Sequence, residues 1–182
     1  VYNCPTLDWD IMGYDLQYPD AYKKRLVYEN APARYLQYWD TLYTNSIQRA
    51  GEEKVLAARD KYLPHFQYKE KILKKMNNQG CLLLLGGDPG NTFQMHGFNL
   101  FEEMNNWSKA GIPNIDILRA ATVNPAKFFG ESSEWGTIEV GKNADLILLE
   151  KNPLEDIKDM KTIFATFVKG KVYYKKALLK KI

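Results

Sequence analysis

One carboxylate stands out because of the residues around it. Asp88 follows the apolar run Leu82–Leu85 and two glycines, and it precedes Pro89 and Gly90. A short apolar run before turn residues is typical of a strand that is buried on both faces. In parallel α/β folds, the carboxyl end of such a strand is where ligands bind. Asp88 could therefore contact a ligand, or its carboxylate could simply accept backbone hydrogen bonds from the turn that follows.

The chain has two histidines, His65 and His96, and they form no His-x-His pair. His96 comes eight residues after Asp88, at the entry of a predicted helix. It could lie beside a bound substrate, or it could be a helix-entry residue that hydrogen-bonds locally. His65 lies within a helical pattern and is predicted to be an ordinary structural histidine.

The elements around Asp88 alternate between strands and helices. We predict a strand over Val1–Leu7, a long irregular loop to Pro32, and helices from Ala33 to about Met76 that Pro64 breaks or kinks. The strand Cys81–Leu85 follows. The next helices are predicted from His96 or Gly97 to Gly111, over Ile115–Ala121, and from an N-cap at Asn124 with Pro125 in the first turn. This order predicts parallel βα units.

The C-terminal part of the chain has a strand-like rather than a helical sequence pattern. From Glu134 onward, short alternating segments and a Lys169-Gly170 turn predict a small β-structure that ends in a hairpin. Asp145 is predicted to be a turn carboxylate that satisfies backbone N–H groups. We therefore place a boundary near Ser133, which divides the chain into parts 1–133 and 134–182.

Three segments together resemble one family. The sequence HGFNLFEEMNNWSKAGIPNIDILRAATVNPAKFFG precedes GTIEVGKNADLILLEKNPLEDI and FVKGKVYY. In this order they closely resemble the C-terminal part of the metal-dependent amidohydrolases, in particular the imidazolonepropionase and Xaa-Pro dipeptidase branches. The resemblance covers Leu82 to about Tyr174, and the start VYNCPTLDWD is similar to the preceding barrel strand. It implies an α/β fold: the last units of a TIM-type (β/α)8 barrel, incomplete in this chain, followed by a small β-sandwich tail.

The resemblance also implies a chemistry. Asp88 would correspond to the aspartate of the last barrel strand, which in the family binds a divalent metal and handles the catalytic proton. The metal would be zinc, as one or two ions, and it would lower the pKa of a bound water so that hydroxide attacks a carbonyl carbon and the C–N bond breaks. The substrate would be a small amide, cyclic amide or dipeptide. Some peptidase-like branches carry His-Gly where His96 lies, near the substrate.

The family pattern is only partly present. Its His-x-His pair, lysine and further histidines have no counterpart here, and a catalytic zinc takes at least three protein ligands. The sequence starts at Val1 without a methionine, so we expect an N-terminal portion to supply the missing ligands and expect this chain alone to be inactive. The alternative is a non-catalytic or truncated amidohydrolase-like module with a structural or interaction role.

Composition sets further bounds. A net charge of +3, with both signs mixed along the chain, does not indicate a nucleic-acid partner. No apolar run approaches the ~20 residues of a membrane span. Cys4 and Cys81 are predicted to be small core residues of buried strands. Trp9, Tyr14 and Tyr18 could line a pocket or pack their loop. The compartment and a homo-oligomeric state are left open.

Overall fold

Two short parallel strands organise the first part of the molecule. The computed structural model describes residues 1–13, 22–24, 28, 31–90 and 93–180. Strand β1 (Tyr2–Asn3) pairs in parallel with β2 (Leu82–Leu83), in the register Tyr2↔Leu82 and Asn3↔Leu83. Leu84 N extends the ladder by donating to Asn3 O at 2.8 Å. The predicted parallel arrangement is confirmed, and the carboxyl ends of both strands lie at one edge.

Helices connect and cover this strand pair. They are α1 (Leu7–Gly13), α2 (Ala33–Ala50), α3 (Glu52–Asn78), α4 (Phe98–Lys109), α5 (Asn114–Ala121) and α6 (Val123–Phe129), with a short 3-10 turn at Tyr22–Lys24. None of the helices in the described ranges is long and apolar enough to cross a membrane.

Three sequence predictions about these elements are wrong. The strand predicted over Val1–Leu7 ends at Asn3, and Leu7 begins a helix. Pro64 does not break its helix, since α3 continues past it, and the kink that was the alternative stays a prediction. Pro64 is exposed there, so water can solvate the carbonyl that loses its N–H donor.

Asn124 is the third correction. It lies inside α6 rather than at its N-cap, and its Nδ2 donates to Leu83 O at 2.8 Å. The side chain thus satisfies a strand carbonyl of β2, a long-range contact that the local Asn-Pro pattern does not show.

The second part is a three-stranded antiparallel sheet. Its strands are β3 (Leu146–Leu149), β4 (Ile163–Val168) and β5 (Lys171–Tyr174), in the order β3-β4-β5. A 3-10 turn, Ile157–Lys161, joins β3 to β4, and helix α7 (Lys175–Leu179) follows β5. Lys169 and Gly170 both have positive φ, 49° and 77°, between the paired Val168 and Lys171, so the hairpin is confirmed.

One hydrophobic core joins the two parts. Leu7, Leu83 and Trp107 pack in it together with Ile157 and Met160 of the 3-10 turn. Trp107 and Ile117 are fully buried. A second cluster, of Ile11, Trp39 and Phe93, lies where α1, α2 and the loop after β2 meet.

Candidate functional site

Asp88 lies at the carboxyl edge of the parallel pair, on the loop that follows β2. Its side chain is exposed. Its negative charge contributes to raising the pKa of Cys4, on the loop that follows β1, so the two loops share one rim. Within the described residues the Asp88 carboxylate has no hydrogen bond to Gly90, and Asn91 lies outside them. Asp88 thus lies on the loop after the carboxyl end of β2, and its role as a site residue stays a prediction.

The two glycines before Asp88 allow a close approach of neighbouring side chains. A Cβ at Gly86 would lie 2.7 Å from Cys4 Sγ, and a Cβ at Gly87 would lie 2.5 Å from Asn99 Nδ2. Asn99 also donates from Nδ2 to Gly87 O at 2.7 Å. The Asn99 hydrogen bond ties the β2 loop to α4, and the close approach of Cys4 and Asn99 leaves no room for a side chain at either glycine.

Helix α4 buries a polar face against this rim. Asn99, Glu103 and Asn106 recur at four- and three-residue spacing, and all three are buried. They lie beside the apolar face formed by Met104 and Trp107. Each polar residue has a role: Asn99 contacts the β2 loop, whereas Glu103 and Asn106 contact the start of α1.

The side chain of Glu103, on α4, caps the N-terminus of α1. Its Oε1 accepts a hydrogen bond from Leu7 N at 2.7 Å, and its Oε2 accepts one from Asp8 N at 2.5 Å. Trp107 Nε1 donates to Oε1 at 2.6 Å. These N–H groups of the first helical turn would otherwise lack partners. The preceding Thr6 has a φ of 44°, a strained value for a β-branched residue, and the Glu103 contacts fix the two residues that follow it.

Burial raises the pKa of the Glu103 carboxyl to about 7. Hydrogen bonds from the N–H groups of Asp8 and Leu7 and from the Trp107 indole lower it, and the negative charge of Asp8 raises it further. Desolvation of the charged form is the largest of these effects. The group therefore titrates near neutral pH although three donors surround it.

Two more carboxylates are buried on α1. Asp8 is 1% exposed and faces the amides of Gln94 and Asn106, each with its nitrogen 3.5 Å from an Asp8 oxygen. Asp10 is paired with Lys69, whose Nζ lies 2.6 Å from Asp10 Oδ1. Lys69, on the surface of α3, thus has a buried partner. Trp9 between them is 41% exposed, and Tyr14 and Tyr18 lie outside the described residues.

The cysteine prediction is wrong. Cys4 and Cys81 are both exposed free cysteines, because β1 ends before Cys4 and β2 begins after Cys81. Partial burial raises the pKa of the Cys4 thiol, and the negative charges of Glu103 and Asp88 add to the effect. The thiol is thereby held in its protonated, less reactive form.

His96 lines a cavity at the same rim. The cavity, of about 590 Å³, lies between α2 and the loop after β2, and it also contacts Gly90, two residues beyond Asp88. His96 is exposed and His65 lies on the surface of α3 beside the Tyr62 ring, 6.3 Å from it. The structure thus separates the two histidines, and it places only His96 near the predicted site.

The described residues do not form a complete metal site. No group of three or more His, Cys, Asp or Glu side chains in that part of the chain is placed to hold a metal ion. Asp88 is an exposed carboxylate with open space around the neighbouring Gly90, so it fits as a single oxygen ligand. Glu103 and Asp8 do not fit, because their oxygens are occupied by backbone and side-chain N–H groups.

Sequence reasoning missed the polar face of α4 and Gln94. A signal for the first is present in NLFEEMNN, where Asn99, Glu103 and Asn106 share a face of a helix that directly follows the Asp88 loop. A second signal is that this face adjoins the apolar face, so it must be at least partly buried. No local signal marks Gln94, which is buried only because α1 and α2 pack over it.

The parallel strand pair and its covering helices place this part of the chain in the class of α/β domains. The model of the amidohydrolase family matches residues 67–173. The chain belongs to the amidohydrolase family, and the predicted resemblance is confirmed.

Similar proteins cover different parts of the chain. A 5-methylthioadenosine/S-adenosylhomocysteine deaminase of Caldanaerobacter subterraneus is 34% identical over 113 residues, 56% of this chain and 24% of its own length. An imidazolonepropionase of Thermoplasma acidophilum is 36% identical over 62 residues, 32% of this chain and 15% of its own length. The chain therefore spans about a quarter or less of these relatives.

A solved structure shows the fold. A Xaa-Pro dipeptidase with methionine bound in the active site superposes with a TM-score of 0.64 and 22% identity. The superposition covers 96% of this chain and 34% of the dipeptidase chain. The mixed helix and strand arrangement is thus that of a part of an amidohydrolase domain, consistent with part of a TIM-type domain.

Proposed function

We propose that this chain is the C-terminal part of a metal-dependent hydrolase that cleaves C–N bonds in small amides, cyclic amides or dipeptides. The observation that carries the proposal is the position of Asp88. It is an exposed carboxylate at the carboxyl edge of a parallel strand pair, within the span that matches the family. Relatives with this family's sequence include deaminating and deacetylating enzymes, all of which act on C–N bonds.

Asp88 has two roles in this proposal. It supplies one carboxylate ligand to a divalent metal, most simply zinc, whose bound state would lower the pKa of a water molecule. The same carboxylate accepts the proton of the attacking water and returns it to the leaving amine. Its exposure and its place on the rim let it reach both a ligand and a substrate.

The remaining ligands come from outside this sequence. Superfamily members generally bind divalent metals, yet the described residues hold no complete ligand set. We propose that the strand pair is the last part of an eight-stranded barrel whose other strands carry the missing histidines. The two parts, 1–133 and 134–182, are then the barrel end and a sandwich portion.

Exposed apolar side chains in residues 134–182 support the proposal that further strands of the intact protein cover this part. Ile138 and Val140 are 85% and 108% exposed, and Ile147 and Leu148 are about half-exposed. Apolar side chains exposed to this degree indicate a surface that is covered in the intact protein. Strands from the same protein that complete a β-sandwich would cover them.

A second candidate is a non-catalytic amidohydrolase-like module with a structural or interaction role. One observation favours it: in the described ranges, Asp88 has no neighbouring set of metal ligands. In that case the same fold would persist without bound metal or hydrolysis.

The test compares Asp88→Asn with Asp60→Asn in the intact protein. Asp60 is an exposed aspartate on α3, away from the rim, and serves as the matched control. Metal content is measured by mass spectrometry, and hydrolysis is measured on a panel of amides, cyclic amides and dipeptides. We expect Asp88→Asn to lower the rate by about 10²- to 10⁴-fold and to lower bound metal, whereas Asp60→Asn changes neither.

Two results would contradict the proposal. If the intact protein binds no metal and hydrolyses none of the panel, the non-catalytic module is correct. If metal and hydrolysis are present but unchanged in Asp88→Asn, then Asp88 is a turn residue.

A further inference from the structure

The cavity at the rim has an aromatic side and a polar side. Tyr35, Tyr38 and Trp39 of α2 form the first, and Gln94 and His96 of the loop after β2 form the second. We call this the aromatic pocket. Its volume of about 590 Å³ lies within the range of small-molecule sites, about 300–1,000 Å³.

Gln94 has a buried side-chain amide whose oxygen lacks a hydrogen-bond donor among the described residues. The residue is 5% exposed, and its Nε2 faces Asp8 Oδ2 at 3.5 Å. This contact fixes the orientation of the amide, because an ionised carboxylate only accepts hydrogen bonds and must face the NH₂ group. Gln94 Oε1 is then directed elsewhere, and it has no donor among the described residues. Buried acceptors in native proteins nearly always have a donor, so this oxygen indicates a ligand or water that completes it.

The loop around Gln94 is held in a strained conformation. The preceding Phe93 has a φ of 63°, which is unusual for an aromatic residue. Its ring packs edge-on against Trp39, with centroids 5.6 Å apart. Strain of this kind is found at ligand-binding loops, where packing holds a side chain in a required position.

The aromatic side is also preorganised. Trp39 is buried, 4% exposed, and contacts the Tyr35 ring at 5.8 Å. Tyr38 is 58% exposed at the edge of the pocket. A flat or apolar group could pack against this side while a polar group on the same molecule reaches Gln94.

We propose that the aromatic pocket binds a small amide or amine with an apolar substituent. The ligand's N–H group donates to Gln94 Oε1, and its substituent packs against Tyr35, Tyr38 and Trp39. His96 borders the open side of the pocket. Gly90, which lines the pocket, follows Asp88 by two residues, so the pocket adjoins the loop that carries this carboxylate. The inference that the pocket binds such a molecule does not depend on the proposed function. Only the further step, that the bound molecule is the substrate, rests on the proposed function.

The test measures binding rather than turnover. N-methylbenzamide carries a ring and one N–H, and N,N-dimethylbenzamide lacks the N–H. Dissociation constants for both are measured with the intact protein by ligand-observed NMR. We expect N-methylbenzamide to bind about ten-fold tighter or more, because the dimethyl compound leaves Gln94 Oε1 unsatisfied. Benzylamine serves as a third probe, and tighter binding than that of N-methylbenzamide would identify an amine rather than an amide as the preferred ligand.

Two variants separate the two sides of the pocket. In Gln94→Leu the ratio between the two benzamides is expected to fall to about one. In Tyr38→Leu both benzamides are expected to weaken together, with their ratio kept. Gln67→Leu and Tyr68→Leu, at exposed positions of α3, are the matched controls and leave both dissociation constants unchanged.

The proposal is overturned if the wild-type protein binds the two benzamides equally, if it binds neither, or if their ratio persists in folded Gln94→Leu. Should Gln94→Leu fail to fold, the wild-type ratio and exposed Tyr38→Leu still decide the result. A pocket that passes this test in a protein without C–N hydrolysis contradicts only the proposed function. Hydrolysis that requires Asp88, together with equal binding of the benzamides, contradicts only the pocket.

Discussion

The strand rim and the C-terminal sheet place polar and apolar side chains in opposite ways. At the rim, Asp8, Asn99 and Glu103 are at most 3% exposed. In the second part, Ile138 and Val140 are 85% and 108% exposed. Buried polar groups lower stability unless they are hydrogen-bonded, and exposed apolar side chains are unfavourable unless a partner surface covers them. At the rim the compensation lies within the chain, as hydrogen bonds, whereas in the second part we infer that it comes from strands outside this sequence.

The difference shows where the chain is self-sufficient. The buried rim carboxylate Glu103 has three donors from α1 and α4, so this corner is complete. The sheet hairpin has regular pairing, but every residue of β5 is exposed. Breaking a rim contact should therefore act through the chain itself, and changing an exposed apolar side chain such as Val140 should act through a partner surface.

The largest effect is expected from Glu103→Ala. This change leaves three donors without an acceptor in a buried place, and we expect the free energy of unfolding to fall by about 4 kcal/mol. Urea unfolding of the intact protein, followed by tryptophan fluorescence, measures it. Glu131→Ala is the matched control, since Glu131 accepts from Trp135 Nε1 at 2.6 Å, as Glu103 does from Trp107, but is exposed. The control should lose less than about 0.5 kcal/mol, and equal losses would show that burial of the rim carboxylate is unimportant.

The pH dependence of stability is the next largest effect. Folding raises the pKa of Glu103 from 4.5 to about 7, so the folded protein binds more protons than the unfolded chain between these values. Stability from this group is therefore fully present below about pH 4.5 and is lost as the pH rises through about 7, by about 3 kcal/mol in total. Unfolding curves at pH 5 to 8 measure the slope, and Glu103→Gln should remove most of it. A slope that is the same in wild type and Glu103→Gln would assign the titration to another group.

A smaller effect is expected at the glycine pair. In Gly87→Ala the new Cβ would meet Asn99 Nδ2 at 2.5 Å, and we expect a loss of about 2 kcal/mol. Combining it with Asn99→Ala should recover part of the loss, because the clashing group is then absent. Additive losses in the double variant would place the strain elsewhere in the loop.

The smallest effect is expected in the tail and tests its partner surface. If strands of the intact protein cover Val140, then Val140→Lys should lower the free energy of unfolding by about 1 kcal/mol. Lys142→Ala, in the same turn region, gives the background change. A Val140→Lys value within about 0.5 kcal/mol of zero would mean that this surface faces water in the whole protein.

Local patterns predicted much of the fold. The apolar run before Asp88, the helix after Gly97 and the Lys169-Gly170 hairpin depend on neighbouring residues, and all three are observed. Asp145 was predicted to accept hydrogen bonds from backbone N–H groups, and its Oδ1 accepts from Lys169 N at 2.6 Å, although this partner lies 24 residues away on the hairpin. Asp88 and His96 as site residues stay predictions, because a metal site requires ligands that the described residues do not contain.

Helix ends and buried polar residues were harder to predict. Pro64 and Asn124 carry strong local signals for helix boundaries, but α3 continues through the solvent-exposed Pro64, and a tertiary contact to β2 holds Asn124 inside α6. Cys4 and Cys81 were expected inside strands that are in fact two residues long. The parallel pair is short because other elements bond the backbone groups that follow it. Leu83 O accepts from the Asn124 side chain, and Leu85 N donates to Ala120 O of α5 at 2.9 Å.

The sequence by itself determined that a carboxylate ends a buried strand in an amidohydrolase-like chain, because strand, turn and motif patterns are encoded in adjacent residues. Only the tertiary structure decided which polar groups support that carboxylate. Glu103 meets Leu7 across 96 residues of sequence, and Gln94 meets Asp8 across 86. Such contacts depend on how whole helices pack, and no local propensity records them. The unsatisfied oxygen of Gln94 is a consequence of that packing, and it identifies the aromatic pocket on the loop after β2 as the place to look for a ligand.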